Sequence, residues 1–135
     1  MKLAIISAVA CVALATPLFA EGDAAKGEKE FKKCKACHMI VAADGTEIVK
    51  GGKTGPNLYG VIGRPVASEE GFKYSDGILA VGATGAVWDE ASLAEYVLDP
   101  TAYIDTHGGG GKSKMTFKLT KGGEDVAAYL ASVAQ

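Results

Sequence analysis

The chain has 135 residues, 48% of them hydrophobic and 22% charged, with a formal charge of -2. These values describe one small globular domain, not a disordered or wholly membrane-embedded chain, and the mild acidity excludes a generally basic nucleic-acid footprint. Glycine contributes 18 residues against a usual share of roughly 7%, so long loops wrapped around a bound group are expected in place of a regular helical bundle.

Lys2 is followed by an uncharged run over residues 3–20, rich in Ala, Val, Leu and Ile, and Glu21 opens an abruptly polar sequence. This pattern predicts a secretory signal cleaved after Ala20, with Pro17 near its end, although Leu18 is larger than the residue preferred there. About 18 apolar residues also suffice for an uncleaved anchor. A lipoprotein reading through Cys11 is weaker, because Ala8 stands three positions before it and residues 12–20 would stay on the mature chain. Cleavage removes Lys2 and Cys11, leaving 13 basic and 16 acidic residues and two thiols, Cys34 and Cys37, in an oxidising periplasmic compartment. Residues 21–135 then form one domain of about 115 residues. Such a chain buries only about two-thirds of its unfolded surface, so a covalently held group would help complete its core.

Asp23 is placed to cap a helix from about residue 24 into Cys34, with Gly27, Phe31 and Cys34 on one face. Glycine in mid-helix costs stability, which a second helix crossing closely there would explain. That helix ends in Cys34-Lys35-Ala36-Cys37-His38, the C-x-x-C-H pattern of covalent c-type haem attachment. In a shuffled chain of this composition the order arises on the order of once in a thousand. Two thiols three positions apart can add to the two vinyl groups of one porphyrin, and the next residue can turn its imidazole to the iron as proximal ligand. A thioredoxin-like dithiol would need a βαβ frame that is not visible, and a structural zinc site would need four ligands where only His107 remains to join Cys34, Cys37 and His38.

Residues 51–57 and 60–63 punctuate a long loop region, and no strand shows clear alternation. A second amphipathic stretch, residues 90–98, carries Leu93, Tyr96 and Val97 and stops at Asp99-Pro100. The sixth iron ligand decides between carrier and catalyst. Met39 adjoins His38 and cannot readily reach the other haem face, which leaves Met115 and His107. Met115 lies in the polar run 112–117, where a packing methionine is unexpected, and His107, beside four glycines, reads as a solvated loop residue. A last helix over residues 124–134 repeats Val126, Tyr129, Leu130 and Val133 at helical spacing, with Glu124 and Asp125 suited to its first turn. It is the natural partner for Gly27.

Together with the haem motif, residues 55–64 (Gly55-Pro56-Asn57-Leu58-Tyr59-Gly60-Val61-Ile62-Gly63-Arg64), 88–90, 93–100, 115–117 and 128–130 occur in the order seen in a known family. The chain resembles the class I c-type cytochromes, and among them the cytochrome c2 proteins of purple photosynthetic bacteria. The resemblance implies an all-α cytochrome c fold in which crossed N- and C-terminal helices and loops wrap one covalent haem c. It also implies that Pro56 offers its carbonyl to His38, that Met115 is the distal ligand with Tyr96 near its sulfur, and that Arg64, Tyr74 and Trp88 surround a buried haem propionate. For these aromatics, plain core packing is an equal expectation. Two loops depart from the shorter relatives: residues 41–52, and residues 105–112 with their four glycines, whose path is left open.

Lys29, Lys32, Lys33 and Lys35 cluster at the haem motif, while Lys112, Lys114, Lys118 and Lys121 bracket Met115. Such runs are commonly no more than solvated faces. If both converge at the haem edge, they make a dipolar molecule steered toward acidic partners. The expectation is a monomeric one-electron carrier that makes no chemical product and binds no nucleic acid. By resemblance it runs from a cytochrome bc1 complex to a photosynthetic reaction centre, docking through Lys32, Lys33, Lys35, Lys112, Lys114, Lys118 and Lys121. A respiratory donor to a terminal oxidase is the alternative in the same class. A haem sensor or peroxidase-like protein follows if the sixth ligand is labile.

Overall fold

The computed structural model describes residues 21–135; the predicted signal, with Cys11, lies outside the described residues. Asp23 caps α1 (Ala24–Glu30), its side chain accepting the N–H groups of Ala25 and Lys26 at 3.0 and 3.1 Å. Two of the four donors left open at a helix start are thereby satisfied. The single helix expected as far as Cys34 instead tightens into a 3-10 turn, Phe31–Lys33, and the Cys34 amide donates to the Phe31 carbonyl at 2.8 Å. Phe31 turns inward, 1% exposed, and Cys34 is half-buried beside the core.

Helix α1 crosses the last helix, α5 (Gly123–Ser132). The mid-helix glycine is the contact point, because a Cβ at Gly27 would overlap the Asp125 carbonyl and stand 2.8 Å from the Tyr129 Cβ. Phe31 and Tyr129 meet across the crossing with ring centroids 5.7 Å apart. Ahead of α1, the Asp23 amide donates to the Asp125 carboxylate at 2.7 Å, which ties the first described residues onto α5.

Helix α3 (Glu90–Leu98) opens with a capping box between Asp89 and Ser92 and packs on α5. Asp99-Pro100 ends it as expected, but the same pair begins a further helix, α4 (Pro100–Thr106). Asp99 accepts the Ala102 amide at 3.2 Å, and proline fits the first helical position because its missing N–H would have no partner there. Helix α2 (Asp76–Ala83) is likewise absent from the sequence reading; Gly77 and Gly82 weaken its helical signal, and only Gly77, Ile78 and Val81 are buried.

Residues 40–49 correct the expectation of a strandless loop. A short antiparallel hairpin pairs β1 (Ile40–Val41) with β2 (Glu47–Val49). Its turn is closed by Gly45 at φ +89° and by the Asp44 carboxylate accepting the Thr46 amide at 2.9 Å. Two or three residues per strand leave no room for a visible alternation. The fold is the expected all-α architecture, with crossed N- and C-terminal helices and this hairpin as its only sheet among the described residues.

The glycine run at 108–111 divides by function. Gly108 and Gly111 adopt φ +91° and +76°, where L side chains are strained. Gly109 lies backbone to backbone against Gly77 of α2, so that a Cβ on either residue would meet the opposite chain. The path left open in sequence is therefore a tight turn packed on α2. Among the described residues no helix is long and apolar enough to cross a membrane.

Candidate functional site

The haem motif forms one more turn after the 3-10 segment: the amides of Cys37 and His38 donate to the Cys34 carbonyl at 3.1 and 2.9 Å. That turn brings Cys34, Cys37 and His38 to the wall of a cavity of about 240 Å³. The following loop is pressed onto the motif. Gly52 and Gly55 donate to the carbonyls of Lys35 and Cys37 at 2.9 and 2.8 Å, and side chains at Gly51, Gly52 or Gly55 would overlap the motif's backbone or the His38 ring. Sequence reading noted these glycines only as punctuation. A close approach in space leaves no local pattern by which to find it.

His38 is 9% exposed, and its Nδ1 lies 2.8 Å from the Pro56 carbonyl. A carbonyl only accepts, so Nδ1 carries the proton and Nε2 keeps the free lone pair. Burial pushes the His38 imidazole below its ordinary pKa, against the upward pull of that hydrogen bond. Asn57, unassigned in sequence, locks the Pro56 loop to the hairpin. Its Oδ1 accepts the amides of Val41 and Tyr59 at 3.0 and 3.1 Å, and its Nδ2 donates to the Val41 carbonyl at 2.8 Å.

The same cavity is lined by Met115, Tyr96, Arg64, Tyr74 and Trp88. Met39 and His107 do not line it. His107, expected as a solvated loop residue, is part-exposed but not free: it caps α4, stacks on Tyr103 at 3.9 Å and 16°, and donates from Nδ1 to the Tyr103 carbonyl at 2.8 Å. Met115 is half-buried and hangs from a polar chain in which its amide donates to Ser113 Oγ at 3.1 Å. The Ser113 amide donates to Thr101 Oγ1 at 3.1 Å, and the Tyr96 hydroxyl lies 3.3 Å from Ser113 Oγ. Trp88, Tyr96 and Tyr103 pack with centroids 5.1 to 5.5 Å apart, so the packing role expected of Trp88 and Tyr96 is present.

Arg64 is held across from Trp88 by a backbone pair, Gly63 N–H to Trp88 O at 2.7 Å and Trp88 N–H to Arg64 O at 3.0 Å. Its Nη1 pairs with Glu69 at 2.6 Å and its Nη2 donates to the Asn57 carbonyl at 3.1 Å. Nε is buried without a partner, a costly state for a cationic donor. The Tyr74 hydroxyl accepts the Glu69 amide at 3.0 Å.

These features fit a haem and fit the rival chemistries poorly. The wall of the cavity is mainly apolar, including Phe31, Leu58, Ile78, Leu93 and Leu130, and Arg64 Nε is a donor awaiting an anionic group. Burial pushes the Cys34 thiol up to about 11, the reverse of the depressed pKa that a thiol-exchange nucleophile needs. Among the described residues no three His, Cys, Asp or Glu side chains are grouped to hold a metal ion.

No protein-family model matches the chain. Individual relatives do. It is 59% identical to cytochrome c2 of Rhodobacter capsulatus across the full length of both chains. It is 60% identical to cytochrome c-550 of Paracoccus versutus over 97% of this chain and 88% of that one. The solved structure of the Rhodobacter capsulatus cytochrome c2 superposes with a TM-score of 0.82 at 61% identity, covering 84% of this chain and all of that one. That of cytochrome c2 from Paracoccus denitrificans gives 0.80, also at 61% identity, with 84% and 97% covered. With likeness of this extent in both sequence and fold, the chain belongs to the cytochrome c2 and c-550 family, one-electron carriers that hold a single covalent haem c.

Proposed function

We propose that the chain is exported, cleaved after Ala20, and carries single electrons in the periplasm from a cytochrome bc1 complex to a photosynthetic reaction centre. Cleavage there leaves only Glu21 ahead of the Gly22-Asp23 segment that docks on α5. The observation that carries the reading is the presence of His38, oriented by Pro56, and Met115, suspended from Ser113, on one apolar cavity.

Bound there, the haem supplies a one-electron iron couple. Cys34 and Cys37 would hold it through thioethers, and His38 Nε2 and the Met115 sulfur would ligate its iron. A histidine and methionine ligand pair would raise the potential, and two strong ligands would leave no position for a substrate. Pro56 fixes the tautomer and direction of His38. The apolar wall would keep water from the metal, while Arg64, Tyr74 and Trp88 would supply the polar partners that a buried propionate requires.

Lys33 and Lys114 line the mouth of the cavity, which brings one lysine from each cluster together. Lys33 pairs with Glu30 at 2.6 Å, Lys118 with Asp99 at 2.7 Å, and Lys114 donates to the Lys73 carbonyl at 2.9 Å. Among the described residues, Lys32, Lys35, Lys112 and Lys121 make no ion pair and are exposed, so they are the charges free to meet an acidic partner. Electron-transfer rates with either complex then fall steeply as salt rises; rates independent of ionic strength would remove the docking face.

Carbon monoxide added to the dithionite-reduced holoprotein at neutral pH tests the site itself. The closed site leaves the visible spectrum unchanged, whereas M115A shifts it at once. A rapid shift in the unaltered protein would instead assign an open-site haem protein, a sensor or peroxidase-like catalyst.

A further inference from the structure

Arg64 has five N–H donors, and the structure distributes them unevenly. Glu69 takes Nη1 at 2.6 Å, the Tyr59 carbonyl shares it at 3.4 Å, and the Asn57 carbonyl takes Nη2 at 3.1 Å. Only Nε remains buried and unpartnered. The Glu69 and Arg64 side chains are 28% and 17% exposed, far less than in an ordinary surface pair, so their interaction is weakly screened.

Glu69 is itself positioned. Its amide donates to the Tyr74 hydroxyl at 3.0 Å, its carbonyl accepts the Phe72 amide at 3.3 Å, and Ser68 Oγ donates to the Pro65 carbonyl at 2.6 Å. Ala67 takes φ +57° within the same turn, a conformation that costs a non-glycine residue energy and persists where surrounding contacts enforce it. The loop over residues 64–74 is thus built to bring a carboxylate onto an arginine that lines the cavity and keeps Nε without a partner.

We propose that Glu69 is a positioning residue that aims Arg64 and sets the carrier's midpoint potential. Resting on the haem reading above, it holds Nη1 so that Nε is the donor left for a propionate, and its own negative charge offsets the arginine's positive one. The added negative charge favours the oxidised, more positive iron and lowers the potential.

The test is the midpoint potential of the holoprotein for E69Q, R64Q and the double variant, with far-ultraviolet circular dichroism and the reduced absorption spectrum as checks on folding. E69Q keeps an acceptor for Nη1 and loses only the charge; it is expected to shift the equilibrium roughly fivefold toward the reduced form. In the R64Q background the same substitution shifts it by less than half as much, because no guanidinium holds the carboxylate in place. An unchanged potential in folded E69Q, with R64Q shifted, overturns the role of Glu69 alone. Equal shifts in both backgrounds overturn its action through Arg64. No change in R64Q either would overturn the placement of Arg64 at a propionate.

Discussion

The two sides of the cavity are built differently. On the His38 side, four backbone constraints act between residues 34 and 56: the Cys34 turn, the two amides of Gly52 and Gly55, and the Pro56 carbonyl on Nδ1. On the Met115 side, the segment has no regular structure between α4 and α5, and its local fixings are Ser113, Thr101 and the Leu119 amide donating to the Val97 carbonyl at 2.8 Å. The first side is over-determined, so its geometry survives the loss of any one contact. The second depends on single hydrogen bonds, so the Met115 segment is the part that heat, acid or mutation releases first.

Replacing glycine by alanine at one position on each side breaks the comparison most sharply. Gly55→Ala drives a Cβ into the His38 ring, which Pro56 holds in place, and should cost about 3 kcal/mol in denaturant unfolding of the holoprotein. Gly110→Ala meets nothing within 4 Å and needs no positive φ, so it should be neutral or stabilise by under about 1 kcal/mol. Equal losses at both positions would erase the asymmetry.

Next in size is Ser113→Ala. It removes the acceptor of the Met115 amide and the partner of Tyr96, with an expected cost of about 1–2 kcal/mol. More tellingly, it should let carbon monoxide reach the reduced iron measurably faster while leaving the His38 side intact. A variant as closed to carbon monoxide as the parent would show that Ser113 does not hold Met115.

Acid should sharpen the contrast with the smallest effect. The Lys118 ammonium, then the Ala102 amide, hold the Asp99 carboxyl below the usual carboxylate range. A depressed carboxylate favours the folded state above its unfolded pKa, and that contribution is lost as pH falls through the folded value. Between about pH 5 and pH 3, Asp99→Asn should therefore show a shallower fall in melting temperature than the parent. The variant keeps a competent helix cap, so the difference reports the charge. Identical acid limbs would mean that the Lys118 pair contributes nothing to this side.

What could be read along the chain was what local chemistry imposes. The C-x-x-C-H order, the Asp23 cap, the Gly27 contact, the 90–98 helix and the apolar repeat of α5 were all legible, because each depends on residues within one or two turns. Helix α2 was not, since Gly77 and Gly82 lower its propensity and it is held by contacts distant in sequence, Gly77 against the 109–110 backbone and Ile78 and Val81 in the core. Helix α4 was hidden because Asp99-Pro100 signals a stop and a start equally well. The hairpin was too short to alternate.

The site divides along the same line. Sequence alone determined that two thiols and an imidazole share one turn, and that few residues could serve as a second ligand. Only the tertiary structure decided that Gly55 leaves space for the His38 ring, that Asn57 ties its carbonyl partner to the hairpin, that His107 is spent on Tyr103, and that Glu69 engages Arg64. Ligand types and their spacing are covalent properties of the chain, whereas orientation depends on backbone approaches between segments distant in sequence, where no local pattern records the contact.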